Sequence, residues 1–288
     1  MNVQWYPGHM TKARRSMEED IRLIDLIIEL VDARAPLASR NPDIDELGKT
    51  KARLILLNKS DLAEERWNRV WTEWFQAKGF HVIEVNSRSG AGLKKINSVV
   101  QEACREKLER DRRRGIVNRP VRAMVAGIPN VGKSTFINSF AGKACTKTGN
   151  KPGVTKGKQW IRLNKSLELL DTPGILWPKF ADQQVGLFLA MLGSINDEIL
   201  NQEELAYELL KLFQDRYPEV LKARYGIVSD TPADMLESIA MVRGCLQKGG
   251  ERDLLKAARL LIDDFRSGKL GRITLEIPDA SSSVPECV

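Results

Sequence analysis

The stretch Arg53-Leu-Ile-Leu-Leu-Asn58-Lys59-Ser60-Asp61 lies ahead of Val121-Arg-Ala-Met-Val-Ala-Gly127-Ile-Pro-Asn130-Val131-Gly132-Lys133-Ser134-Thr135, and that order decides the fold. Both begin as short apolar, β-branched runs of the kind that form buried strands, and both end in a polar turn. The second turn fits GxxxxGKS and opens a helical segment from Lys133 to Ala141. In that context the loop N–H groups and the helix N-terminus cradle phosphates. Lys133 then supplies charge to the β and γ oxygens, and the Ser134 hydroxyl is placed to ligate Mg²⁺. The first turn, Asn58 to Asp61, sits at the carboxyl end of a strand, where open α/β sheets bind ligands. A carboxylate at Asp61 can accept from the ring N–H and the exocyclic amine of guanine, and adenine offers neither donor there.

Further motifs fall where the same reading needs them. Val85-Asn86-Ser87-Arg88-Ser89-Gly-Ala-Gly92 follows the next strand and resembles the SAxxGxG turn that offers a backbone N–H to the guanine carbonyl, with Asn86-Ser87 in place of Ser-Ala. Asp171-Thr-Pro-Gly174 fits DxxG, in which Asp171 holds a Mg²⁺-bound water and the Gly174 N–H meets the γ-phosphate. Between these and the phosphate loop, Thr155 is the natural switch threonine that closes on Mg²⁺, with Thr146 and Thr148 as competitors for the role. The expected contacts of GTP are therefore Asn58, Lys59, Ser60, Asp61, Asn86, Ser87, Gly174 and the loop residues from Asn130 to Thr135. Guanine-reading motifs that precede the phosphate loop describe a circularly permuted P-loop GTPase.

Apolar runs at Leu26–Val31, Arg53–Leu57, His81–Val85, Val121–Ala126 and Leu167–Leu170 alternate with helical patterning, which predicts a mostly parallel sheet with helices on both faces. After Gly174 the strand signal stops, and helices are expected near Asp182–Leu192, Gln202–Tyr217, Asp234–Leu246 and Glu251–Arg266. The expected division is a GTPase domain over 1–178 and a small all-helical domain over 179–288 that ends in a loose tail. Trp67, Trp71 and Trp74 share one helix face and are expected to pack on the sheet. The run Arg105 to Arg114 mixes acids with bases and reads as a solvated helix face.

The chain has 288 residues, 42% of them hydrophobic and 29% charged, enough for one large domain and a smaller one. No apolar run reaches the ~20 residues of a membrane helix, and the first residues lack the layout of a secretion signal, so a cytoplasmic protein is expected. The four cysteines are scattered without a CxxC pair, which argues against a zinc site or a disulfide framework. A net charge of +7 favours a polyanionic partner, because neutralised phosphates release counterions.

The permuted order, the opening Trp5-Tyr-Pro-Gly-His9-Met and the segment Leu169-Leu-Asp-Thr-Pro-Gly-Ile-Leu-Trp-Pro-Lys179 together resemble the bacterial ribosome biogenesis GTPase A family, the YlqF-type permuted GTPases. The resemblance covers nearly the whole chain. It implies a GTPase that binds precursors of the large ribosomal subunit through rRNA and ribosomal proteins, is stimulated by them and acts late in assembly. No membrane or DNA partner is expected, and the free protein is expected to be a monomer. A GTP-binding switch or scaffold with negligible hydrolysis is the alternative, because Ile175 stands where many GTPases carry the glutamine that orients water. The missing group then comes from elsewhere. His9 is one candidate, since the resembled family assigns this role to the histidine of Pro-Gly-His-Met. The other is K⁺ on Asn130, which supplies positive charge at the phosphates.

Overall fold

The computed structural model describes residues 10–116, 119–146, 159–174, 176–177 and 182–278. They belong to two compact units, one holding 182–273 and the other holding the preceding residues together with 274–278.

The first unit opens with α1 (Met10–Ile21) and is built on one six-stranded sheet. Its strands are β1 (Leu26–Asp32), β2 (Ala52–Asn58), β3 (His81–Val85), β4 (Val121–Ala126), β5 (Gln159–Arg162) and β6 (Leu167–Asp171), in the spatial order β3-β2-β1-β4-β6-β5. All neighbours are parallel except β5 with β6. Strand β1 is buried along its whole length, as a central parallel strand covered on both faces must be. The helices of this unit continue with α2 (Pro42–Leu47), α3 (Glu65–Ala77), α4 (Ile96–Ala103), α5 (Arg105–Arg113) and α6 (Lys133–Ala141). Asn41 caps α2 by accepting from Asp43 N, and Pro42 follows at the first turn, where no N–H is needed.

Register fixes the site. Asp32 of β1 pairs with Asn58 of β2, and Asn58 pairs with Val85 of β3, so three strand ends come level on one edge. On α3, Trp71 and Phe75 are buried against Val31, Ile55 and Leu57, with Trp67 and Trp74 packed beside them. Trp71 and Trp74 meet edge to face with centroids 5.4 Å apart. Helix α5 is largely exposed, and its Lys107 pairs with Asp25 and Asp111 at 3.1 Å each.

The second unit contains α7 (Gln183–Met191), α8 (Gln202–Arg216), α9 (Glu219–Tyr225), α10 (Pro232–Val242) and α11 (Leu254–Arg266). Side-chain caps start most of these: Asp182, Asn201, Thr231 and Asp253 each accept from a first-turn N–H. Leu205, Leu209 and Phe213 of α8 close the core with Leu236 and Ile239 of α10 and Leu261 and Phe265 of α11. The buried carboxylate of Asp264 accepts from Arg224 at 2.8 Å and from the Tyr225 hydroxyl at 3.1 Å. Among the described residues no helix is long and apolar enough to cross a membrane.

Three features differ from the sequence reading. Strand β5 was not expected, because only Ile161 of its four residues is buried and no apolar run marks it. Helices α2 and α9 are too short for a 3.6-residue pattern to stand out. The expectation of one domain over 179–288 also meets a different end: Thr274, Leu275 and Glu276 return to the first unit. There Leu275 N and Glu276 N donate to Arg34 O at 2.8 and 3.1 Å, and Glu64 N donates to Thr274 Oγ1 at 3.1 Å. Trp71 Nε1 donates to Glu276 O at 3.0 Å.

Candidate functional site

The site assembles at the carboxyl ends of β1, β2, β3 and β4. After β4 the chain turns through Gly127, whose φ is 150° and where a Cβ would stand 2.6 Å from Leu30 O. Gly132, at φ 104°, precedes α6; a Cβ there would come 2.5 Å from Asn58 Nδ2. Both positions need glycine. Asn130 has φ 58°, a left-handed conformation that asparagine tolerates better than most residues.

Asn58 joins the base-reading turn to the phosphate loop. Its Nδ2 donates to Val131 O at 2.8 Å, while its Oδ1 accepts from Ser87 N at 3.1 Å and Ser87 Oγ at 2.8 Å. Ser139 Oγ on α6 donates to Ser87 O at 2.5 Å and closes the ring of contacts. The turn was expected to offer the guanine carbonyl an N–H through Asn86-Ser87. In the structure the Ser87 N–H is committed to Asn58, and Asn86 Oδ1 accepts from Arg88 N and Ser89 N at 2.9 and 3.0 Å. Both residues therefore shape the turn. Ser60 Oγ donates to Val85 O at 3.1 Å, whereas the exposed carboxylate of Asp61 has no partner among the described residues. That free acceptor is what a guanine edge requires.

Lys59 lies in the left-handed region at φ 57°. Its Nζ donates to Asn130 O at 3.1 Å and to Asp32 Oδ2 at 2.8 Å. Asp32 in turn holds the fully buried Arg34, with Nε to Oδ1 and Nη2 to Oδ2 both at 2.9 Å. Burial pushes the Asp32 carboxyl up, but the Arg34 guanidinium and Lys59 ammonium outweigh it and hold the group far below the usual carboxylate range. The sequence reading missed Asp32 and Arg34. A signal was present: Asp32-Ala-Arg34-Ala-Pro36 follows β1 as Asn58-Lys-Ser-Asp61 follows β2, and a charged pair at such a strand end is a ligand-side position.

At the phosphate end, Lys133 is only 7% exposed, and its Nζ donates to Gly127 O and Ile128 O at 2.9 Å each. Burial pushes its pKa down to about 8 against the pull of Asp171. Burial pushes Asp171 up to about 6, opposed by Lys133 and by the Thr172 N–H. Asp171 Oδ1 is buried without a hydrogen-bond partner, and Thr172 Oγ1 anchors the segment by donating to Val125 O at 2.8 Å. A buried ammonium and a buried carboxylate, both biased toward their neutral forms, fit a site whose charges are completed by phosphates and a hard cation. No cluster of three or more His, Cys, Asp or Glu exists among the described residues to hold a metal by protein groups alone. A Cβ at Gly174 would stand 2.8 Å from Lys133 Nζ, so Gly174 closes directly on the phosphate lysine.

Of the threonines named for the switch role, Thr146 donates from its N to Asn138 Oδ1 at 2.8 Å, and its Oγ1 lies 3.3 Å from both Asn138 Oδ1 and Ser134 O. Thr148, Thr155, His9 and Ile175 lie outside the described residues.

A family model described as "50S ribosome-binding GTPase" matches residues 122–219. Ribosome biogenesis GTPase A of Bacillus cereus is 49% identical over 282 residues, 97% of this chain and 95% of that one. The protein of the same name from Thermotoga maritima is 32% identical, covering 99% and 98%. This chain belongs to the ribosome biogenesis GTPase A family. A GNP-bound YlqF from T. maritima agrees in fold, with a TM-score of 0.65, 30% identity and coverage of 93% of this chain and 99% of that one. As a member of the family the chain is a GTPase that converts GTP to GDP and phosphate, on a permuted P-loop domain followed by helices. Mitochondrial ribosome-associated GTPase 1 of Bos taurus, 32% identical over 95% of this chain, extends the likeness beyond bacteria.

Proposed function

We propose that this GTPase acts late in maturation of the large ribosomal subunit, binding its precursor in the GTP state and leaving after hydrolysis. The observation that carries the reading is the near full-length similarity to ribosome biogenesis GTPases. A net charge of +7 suits an rRNA partner. In this reading the protein works in the cytoplasm as a monomer, with ribosome contacts largely from the helical unit that holds residues 182–273.

In the nucleotide site, Asp61 reads guanine, and Asn58, Lys59 and Ser60 set the base-reading turn, which Asn86 and Ser87 brace. Loop N–H groups from Asn130 to Thr135 bind phosphate, and Lys133 neutralises it. The Ser134 and Thr155 hydroxyls and, through water, Asp171 would hold Mg²⁺, which would supply charge neutralisation at the phosphates. Because Ile175 cannot orient water, intrinsic turnover is low. His9 and a K⁺ held by Asn130 are the two groups proposed to raise it once the subunit docks.

The test is GTP turnover with purified large subunits, small subunits or neither, in K⁺ and in Na⁺ buffer. Stimulation by large subunits alone is expected, with loss of rate in Na⁺. Tight GTP binding without stimulation by either particle would overturn subunit-stimulated turnover and favour a regulatory switch or scaffold that hydrolyses GTP only slowly.

A further inference from the structure

A second surface of the α/β unit has the chemistry of a nucleic-acid contact. Trp160 on the edge strand β5 is 43% exposed, whereas Trp71 of α3 is buried and Trp67 and Trp74 are partly buried. The Arg122 guanidinium lies 5.3 Å from the centroid of its indole ring, within cation–π range. Trp160 and Arg162 are two residues apart on one strand and so share a face. With Leu23, Arg122 and Glu168 they line a hollow of about 340 Å³. Arg122 sits at the amino end of β4, opposite the end that feeds the phosphate loop.

Charge decides what fits. Arg122 shares Glu168 at 3.4 Å. Arg162, and Lys165 in the turn between β5 and β6, are exposed and make no ion pair among the described residues. Two arginines face one carboxylate beside an aromatic ring with free area, and Lys165 follows in the adjoining turn. A short edge strand could be protected more simply by a lone lysine. A half-exposed tryptophan with unpaired cations matches an unpaired nucleotide, whose base stacks on the ring while its phosphates meet the arginines.

We propose that Trp160, Arg122, Arg162 and Lys165 form a stacking platform for unpaired ribonucleotides of the RNA partner. The inference rests on the ribosomal reading above for its partner. It adds to that reading a contact surface on the GTPase domain, separate from the helical unit and from the nucleotide site.

The test uses the full-length protein with a fluorescein-labelled ten-nucleotide single-stranded RNA, followed by anisotropy, and co-sedimentation with purified large subunits. Trp160→Ala is expected to weaken RNA binding by about 10-fold or more, and Trp160→Phe to keep most of it. Arg162→Glu with Lys165→Glu should weaken binding and flatten its salt dependence by about 0.7 per cation lost. GDP affinity and melting temperature should stay at wild-type values in all of them. RNA binding equal to wild type in Trp160→Ala and in the charge-reversed variant overturns the platform. So does a wild-type protein that ignores the RNA, or subunit binding lost without loss of RNA binding, which assigns the surface to a protein partner. If wild type neither sediments with large subunits nor is stimulated by them, the ribosomal reading itself fails; if it does both and the variants match it, only the platform fails.

Discussion

Asn58 donates from Nδ2 to the carbonyl of Val131 at 2.8 Å, across 73 positions of sequence, so the residue that opens the base-reading turn also closes the phosphate loop. The permutation changes which half is synthesised first, yet this contact requires the two halves to meet as one site. Neither loop is complete alone: Asn58 fixes the carbonyl of Val131 and the N–H of Ser87 with one side chain.

Asn58→Ala should therefore weaken GTP and GDP alike. It strands a buried carbonyl and a buried N–H, each costing about 1–3 kcal/mol when unpaired. Nucleotide affinity measured by calorimetry is expected to fall by about 10- to 100-fold or more at unchanged guanine-over-adenine preference. Wild-type affinity for GDP would show that the tie between the loops is dispensable.

Asp32→Ala should destabilise the fold as well as the site. It leaves Arg34 buried without its bidentate partner and frees Lys59 Nζ from one of two acceptors. Breaking a buried pair from one side costs about 3–5 kcal/mol, to be read from urea unfolding. Asp32→Asn, which keeps an acceptor, should cost less. Because the folded pKa of Asp32 lies below its unfolded value, its contribution is complete at neutral pH and fades as pH falls through the folded pKa. Asp32→Asn should thus lose stability relative to wild type at pH 7 and approach it under acid conditions.

The pH dependence of nucleotide binding should have two limbs. Lys133, at about 8 in the protein without nucleotide, is largely neutral above that pH and must take up a proton when phosphates arrive. Affinity then declines as pH rises past 8. Asp171, at about 6, holds a proton below that pH and must release it to serve a Mg²⁺-bound water. Affinity for the Mg²⁺ complex of GTP then declines as pH falls past 6. Calorimetry in two buffers of different ionisation enthalpy should record proton uptake on the alkaline limb and release on the acid limb. Lys133→Ala should abolish the first and Asp171→Asn the second; a flat profile in wild type contradicts both assignments.

Much of this was legible because the motifs lie on strand ends. GxxxxGKS after β4 and the turn after β2 carry their own chemistry, and the apolar runs of β1 to β4 and β6 set the sheet. What stayed hidden depends on long-range contact. Strand β5 buries one residue, so nothing periodic marks it. The tie of the Ser87 N–H to Asn58 joins two turns 29 positions apart, and no local pattern reports it. The return of Thr274 to Glu276 onto the turn after β1 joins residues more than 200 positions apart, and no local pattern reports that.

That return makes its own prediction. Glu276 accepts from Leu37 N at 2.6 Å and Ala38 N at 3.1 Å, yet burial pushes its pKa up to about 7, the two N–H groups opposing. With the folded pKa above the unfolded one, its contribution is present below the unfolded value and is lost as pH rises through 7. Glu276→Gln should remove this dependence, so that its melting temperature relative to wild type improves between pH 5 and pH 8. A constant difference across that range would place the charge in water.

Gly174→Ala should separate the two nucleotides. The added methyl would begin 2.8 Å from Lys133 Nζ and equally close to Pro129, a backbone neighbour that cannot swing aside. Either the switch segment moves away or Lys133 is displaced from its place against Gly127 O and Ile128 O. If Gly174 meets only the γ-phosphate, as DxxG implies, GDP affinity should stay within about 3-fold of wild type while GTP loses its extra contact, on the order of 1.5–3 kcal/mol for a charge-assisted bond. Calorimetry with GDP and a non-hydrolysable GTP analogue reads this directly. Equal losses for both would mean that the methyl acts through Lys133 at the β-phosphate, which assigns Gly174 to the loop's own packing and not to γ-phosphate sensing.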